Sequence, residues 1–314
     1  MTLIFMFPGQ SSRYPEMLDR IVGAWPSATE VVARAEETLG RDLRARYLDG
    51  ACFESNRDVQ VGVFLTSHLH LMALEAAGVR ATASLGLSLG EYNHLVHIGA
   101  LDFEAALRLV DARGRVYDEG PMGMMACIQP ANEDELSPLL EQVRHRGHVS
   151  IANYNSPTQQ VIAGELEAVE ALMTLCEDEL YVQPVVIEKR IPMHTEVFRP
   201  VADAFRPHLE RAPWRQPMKP YLSNVTAELL SAPRPEQFVD CLSRHVHSPV
   251  RWRESIDLLT QRHPDAIFLE VGPRGVLFNL LQKRWHANRK YKSDSLDDLA
   301  SHLGSLGGEL GAVP

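Results

Sequence analysis

Gly86-Leu87-Ser88-Leu89-Gly90-Glu91 is the stretch on which the reading of this chain turns. An uncharged run, Ala81 to Leu85, precedes it and reads as a strand, and Tyr92 to Ile98 behind it reads as a helix. A serine set between two glycines at a strand-to-helix junction has the pattern of a nucleophile elbow. Gly86 and Gly90 lack Cβ atoms, so a sharp turn can lift Ser88 off the sheet while strand and helix stay close. The unpaired N–H groups at the start of the helix could then hold a developing oxyanion. The same residues also suit a glycine-containing loop with a solvated serine, and the five-residue pattern alone does not choose between the two.

Composition narrows the choice. At 314 residues the chain can form one large α/β domain, or a large and a small one. Its 45% apolar and 23% charged residues are ordinary for a soluble globular enzyme. Apolar runs are short, as in Met124 to Ile128, so no segment is expected to span a membrane. The first residues, Met1 to Phe7, lack a basic region and run straight into Pro8-Gly9, which fits a core strand and not a secretory signal. A cytoplasmic location is the resulting expectation. Cys52, Cys127, Cys176 and Cys241 are scattered without a CxxC pair, which suits reduced, buried thiols. A net charge of −10 argues against a nucleic-acid partner, whose footprint would be basic.

Outward from the elbow, Thr2 to Phe7 reads as a strand ending in the polar turn Pro8 to Arg13. Helices are expected over Ser27 to Leu39, Leu43 to Tyr47 and Gln60 to Ala77, the last with apolar residues at helical spacing. His68 and His70 stand two apart there and would not face each other on a helix. No metal site is read from them. Asp102 to Glu119 is a further amphipathic helix, broken by Gly120-Pro121-Met122-Gly123. From Met124 to Ile187 strand-like and helix-like stretches alternate as β-α-β-β-α-β, the ferredoxin-like arrangement. A helix over Glu196 to Glu210, a strand at Tyr221 to Ser223, helices near 235–245 and 252–261, and a buried strand Ala266 to Val271 follow. Val276 to Trp285 reads as the last core helix, Leu296 to Leu306 as a short terminal helix, and Gly307 to Pro314 as a tail.

Three separated segments, Phe7-Pro8-Gly9-Gln10, Gly86 to Tyr92 and Glu270-Val271-Gly272-Pro273, together resemble the malonyl-CoA:acyl carrier protein transacylase family, to which polyketide synthase acyltransferase domains belong. Arg113-Gly114-Arg115, Asn153 to Pro157, Val161 to Gly164, Asn224-Val225 and Ser248 to Trp252 extend the similarity in the same order. The resemblance implies an α/β fold: an α/β-hydrolase-like core (residues 1–121 and 190–314) with an inserted ferredoxin-like small subdomain (122–189). It implies transfer of an acyl group from CoA through an acyl-serine to the phosphopantetheine thiol of an acyl carrier protein. No bound cofactor is expected, and CoA and phosphopantetheine thioesters are the substrates.

By this resemblance Ser88 is the nucleophile and His194 its base. The backbone amides of Gln10 and Leu89 form the oxyanion hole, and the His245 carbonyl orients the imidazole. Arg113 matches the arginine that pairs with the free carboxylate of a malonyl group, a bidentate geometry that lysine cannot copy. Asn155 joins the substrate-binding set. Leu87, Met193 and Ser11-Ser12-Arg13 depart from the family pattern close to the acyl pocket; flexible, apolar Met193 could line room for a longer or less polar acyl chain. The five cations Lys283, Arg284, Arg289, Lys290 and Lys292 fall within ten residues and could steer an acidic carrier protein, or serve as a solvated face. Two other readings stay open: an acyltransferase moving a non-malonyl acyl or aminoacyl group between carrier proteins, and a hydrolase that clears stalled carrier thioesters. A binding module with a dead elbow would need Ser88 or His194 missing, and both are present.

Overall fold

Leu3–Phe7 (β1) is buried along its whole length, and its side chains leave alternately for two different cores. Leu3, Phe5 and Phe7 join the larger core, while Ile4 and Met6 join a second one with Trp252, Ile256, Leu259 and Leu277. A strand apolar on both faces belongs inside a parallel sheet covered by helices on each side. The computed structural model describes residues 2–48 and 53–311; Cys52 lies outside them. The remaining strands are β2 (Ala83–Gly86), β3 (Met124–Ile128), β4 (Val149–Ser156), β5 (Gln159–Gly164), β6 (Val185–Glu188), β7 (Tyr221–Leu222), β8 (Leu229–Leu230), β9 (Ile267–Glu270) and β10 (Lys290–Lys292). The main sheet runs β10-β9-β1-β2, all parallel. A parallel neighbour requires a crossover, and between β1 and β2 the long Asn56–Ala76 helix supplies it.

The second sheet is antiparallel in the order β4-β5-β3-β6. With helices Glu133–Val143 and Leu166–Leu180 on one face, it is the ferredoxin-like unit. Met124, Ala126 and Ile128 bury against Leu136, Leu139, Val169 and Leu172 of those helices. The opposite face, through Met125, Ala152 and Val161, packs into the large core. Two backbone bonds fasten it there: Tyr154 N–H to Val250 O at 2.9 Å and Val250 N–H to Ala152 O at 2.8 Å. The protein is thus an α/β-hydrolase-like core carrying a ferredoxin-like subdomain whose strands β3, β4 and β6 reach the end of the main sheet where the elbow lies.

Several local expectations need correction. The helix Met17–Ala24 and the two-residue strand β8 carry little sequence signal and are additions. The helix from Val276 stops at Leu280, where the Lys290 ammonium takes the carbonyls of Phe278 and Leu281, each at 2.6 Å. The basic segment behind it contains β10. The terminal helix spans Leu299–Leu310, so Gly307 lies within it and not in a tail; a Cβ there would stand 2.9 Å from that of Ala77, a close approach only glycine permits. Among the described residues no helix is long and apolar enough to cross a membrane.

Burial holds several histidines neutral. His68 stacks on Phe103 with ring centroids 4.3 Å apart. Burial above all, with the nearby Arg34 charge, pushes its pKa down to about 4. Burial likewise lowers His70 and His94 to about 4. A base whose folded pKa lies below its unfolded value of about 6.5 leaves the unfolded chain holding more protons, so stability is full above pH 6.5 and is lost as pH falls toward 4. Each such histidine withdraws about 3 kcal/mol over that window. His68→Phe should therefore keep the melting temperature at pH 7.5 and flatten its decline between pH 6.5 and 4.5. Identical pH profiles for the variant and the parent protein, measured by thermal unfolding, would contradict this.

Candidate active site

Ser88 sits at the tip of the turn between β2 and the Gly90–His97 helix with φ of +51°. That left-handed conformation costs a non-glycine residue roughly 1–3 kcal/mol and persists only where its surroundings impose it. The surroundings here are backbone. A Cβ on Gly86 would lie 2.0 Å from the Gly90 carbonyl, and one on Gly90 would lie 2.0 Å from the Phe7 oxygen. Asn224 completes the constraint. Its Oδ1 accepts from the Ser88 N–H at 2.9 Å and its Nδ2 donates to Gly86 O at 2.7 Å, holding both ends of the bend.

His194 approaches from the segment that returns from β6. It too is left-handed, with φ of +64°, and only 2% exposed. Its N–H donates to Val246 O at 3.1 Å. Its Nδ1 lies 2.7 Å from His245 O and its Nε2 lies 2.8 Å from Ser88 Oγ. A carbonyl can only accept, so Nδ1 carries the proton and the Nε2 lone pair faces the serine hydroxyl. Burial first, then the charges of His245 and Arg113, bring the pKa of His194 well below the ordinary histidine range against the pull of the carbonyl bond. The ring is a neutral acceptor at neutral pH.

Arg113, on the Phe103–Asp118 helix, is 1% exposed. Its Nη1 donates to Gln60 Oε1 at 2.6 Å, its Nη2 reaches Ser88 Oγ at 3.4 Å, and the guanidinium lies 4.3 Å from the Tyr117 ring centroid. No carboxylate among the described residues forms an ion pair with it. A desolvated cation without a counter-ion is costly. A pocket of about 70 Å³ opens at Ser88 and His194, walled by Gln10, Leu87, Met125 and Met193, with Arg13, Ile187 and Glu188 also bordering it.

The structure brings Gln10, Leu87, Ser88, Met193 and His194 to one pocket, with Arg113 and the His245 carbonyl in direct contact with its reactive pair. The amides of Gln10 and Leu89 begin their respective helical turns and donate to no acceptor among the described residues. Gly9 lies against Leu87 and Ser88, which keeps the two turns together. Asn155 donates through Nδ2 to Gln159 Oε1 at 3.2 Å and its Oδ1 is buried without a partner, while Asn153 borders the pocket. The register of β4 shifts on both sides of this pair, which simple strand alternation does not reveal. None of the five cations at 283–292 borders the pocket. Lys290 is engaged on helix carbonyls, Lys292 packs at Gly275, and Arg284 donates to Thr158 Oγ1 at 3.0 Å. Gln60, Glu91, Asn153 and Asn224 carry no role in the sequence reading, although Glu91, Asn153 and Asn224 lie in the segments that carry the resemblance. A buried glutamine on an otherwise apolar helix stripe and an acid inside the elbow motif were the signals available.

Residues 4–297 match the Acyl transferase domain family. The chain is 32% identical over 285 residues to a malonyl CoA-acyl carrier protein transacylase of Escherichia coli, covering 89% of this chain and 91% of that one. A crystal structure of such an enzyme from Streptococcus pneumoniae superposes with a TM-score of 0.88 at 29% identity, covering 97% of this chain and 100% of that one. A malonyl-transacylase solved in complex with its type II polyketide synthase acyl carrier protein gives 0.87 at 29% identity, with the same coverage.

Asn224→Asp should weaken the elbow, because a carboxylate still accepts from the Ser88 amide but cannot donate to Gly86 O. The lost buried bond and the unpaired carbonyl cost about 1–3 kcal/mol. A melting temperature equal to that of the parent protein would show that the clamp does not hold the turn.

Proposed function

We propose an activity from one premise, that of family: the chain belongs to the acyl transferase domain family. It transfers a malonyl group from CoA to the phosphopantetheine thiol of an acyl carrier protein, in fatty-acid or polyketide synthesis. The observation that carries the malonyl assignment is Arg113, a buried guanidinium with no counter-ion among the described residues, in reach of the serine oxygen. A malonyl thioester presents a carbonyl to Ser88 and a free carboxylate at its far end, and a bidentate guanidinium matches that carboxylate. The small apolar pocket agrees with a short acyl chain and gives no support to the wider pocket expected from Met193.

In this reading Ser88 Oγ attacks the thioester carbonyl as His194 Nε2 takes its proton. The negative charge moves onto the carbonyl oxygen, where the free amides of Gln10 and Leu89 receive it. The C–S bond breaks, and His194 returns the proton to the CoA sulfur. The carrier's thiol then enters, gives its proton to His194 and attacks the acyl-serine; Ser88 leaves with that proton. The His245 carbonyl keeps the imidazole in one tautomer throughout. The chemistry needs no cofactor beyond the two thiol carriers. Cys127, Cys176 and Cys241 are free thiols, which suits a cytoplasmic protein.

Arg113→Met should lower kcat/KM for malonyl transfer on the order of a hundredfold, the worth of two charge-assisted hydrogen bonds, and leave acetyl transfer within a few-fold. Equal losses for both donors would contradict the malonyl reading. The acidic limb of the kcat/KM profile should fall below pH 6.5, since the base stays unprotonated through the ordinary histidine range. A limb at or above 6.5 would remove His194 from the role of base in that environment.

A further inference from the structure

Behind the Ser88–His194 pair lies a second buried acid and imidazole that the steps above do not use. Glu91, the residue after Gly90 in the elbow, and His245 are each only 1% exposed. The Glu91 Oε1 accepts from Tyr221 Oη–H at 2.6 Å and from the Asn224 N–H at 3.1 Å. The other oxygen, Oε2, lies 2.7 Å from His245 Nδ1. The His245 ring in turn stacks on the His194 ring, with centroids 4.8 Å apart and planes 18° from parallel. Three features of the last turn of the Pro235–His247 helix therefore meet His194: the carbonyls of His245 and Val246, and the His245 ring.

We propose that Glu91 and the imidazole of His245 are positioning residues for His194, a buried carboxylate–imidazole pair that fixes the ring on which Ser88 depends. The inference rests on the assignment of His194 as base. Glu91 is ionised: burial alone would raise its pKa, but the charge and hydrogen bond of His245, with Tyr221 and Asn224, bring it below the ordinary carboxylate range. A buried carboxylate demands a cation, and His245 is the basic group within hydrogen-bond distance. The pair then does two things. It pins the helix end whose His245 carbonyl holds the Nδ1 proton of His194, and it stacks the His245 ring against His194, where the charge of one ring opposes a charge on the other.

The other groups around His194 do not supply this. Ser88 and Arg113 face it from the elbow and the Phe103–Asp118 helix, and Arg113 acts in the same electrostatic sense. Arg13 and Glu188 border the pocket. Cys241 and Tyr221 lie on the Glu91 side, both with pKa values raised chiefly by burial. His247 pairs with Glu196, 3.3 Å away.

The test is pre-steady-state acylation of the full chain by malonyl-CoA across pH, for the parent protein, Glu91→Gln, His245→Gln and the double variant. Each single variant should lose ten- to a hundredfold in the acylation rate, as outer partners of a reactive group do in metal sites, with KM within about twofold. The acidic limb should move to higher pH in both, because His245→Gln removes the ring whose charge opposes protonation of His194, and Glu91→Gln removes the carboxylate that favours that charge. The double variant should be no worse than the poorer single, as expected of residues acting as a unit. Unchanged rates, or rates that fall with an unmoved acidic limb and additive losses, would overturn the proposal and leave the pair a packing feature. His194→Ala is the reference: activity retained there would remove the base assignment itself. Loss there, beside unaffected Glu91→Gln and His245→Gln, would remove only the present inference.

Discussion

The 2.8 Å contact between Ser88 Oγ and His194 Nε2 joins residues 106 apart in sequence, and most of the architecture serves to make it possible. Neither partner adopts a relaxed backbone, since both occupy the left-handed region. The serine is held there by glycine-only contacts to Phe7 and Gly90 and by the Asn224 side chain. The histidine is held by two carbonyls at the end of one helix. Strain at both ends is sustained by the two cores that grip β1, so the reactive geometry is a property of the whole sheet and not of a loop.

Electrostatics follow from the same burial. Ser88 is surrounded by ionisable groups that water barely reaches: Arg113 with no ion-pair partner among the described residues, His194 kept neutral, and Glu91 facing His245. In such a medium charges act at greater strength than in water. In the proposed reaction an arriving carboxylate pairs with Arg113, and the neutral imidazole remains free to take a proton. The small subdomain contributes mainly by enclosure, bringing Met125, Asn153, Ile187 and Glu188 to the mouth of the pocket.

Much of this was legible in the sequence, and the limits have physical causes. The elbow was readable because its glycines answer a steric demand that no other residue meets. The β-α-β-β-α-β order was readable because each element carries its own periodicity. The base was not readable from the residues around it, since His194 sits in a loop without a pattern, and only resemblance to a family pointed to it. Asn224, Gln60 and Glu91 bond partners far away along the chain, which local spacing does not encode. Register shifts in β4 set which of Asn153 and Asn155 faces the pocket, which simple strand alternation does not encode. The bonds of the Lys290 ammonium to a helix end are likewise not visible in a run of cations.

The central claim is that Ser88, activated by His194, carries the acyl group. Intact-protein mass spectrometry of the chain after brief exposure to malonyl-CoA, followed by peptide mapping, tests it most directly. One malonyl group per chain, on Ser88 and discharged on adding a phosphopantetheine-bearing carrier protein but only slowly into water, is the predicted result. An adduct on another residue, or none under conditions where transfer proceeds, would contradict the account.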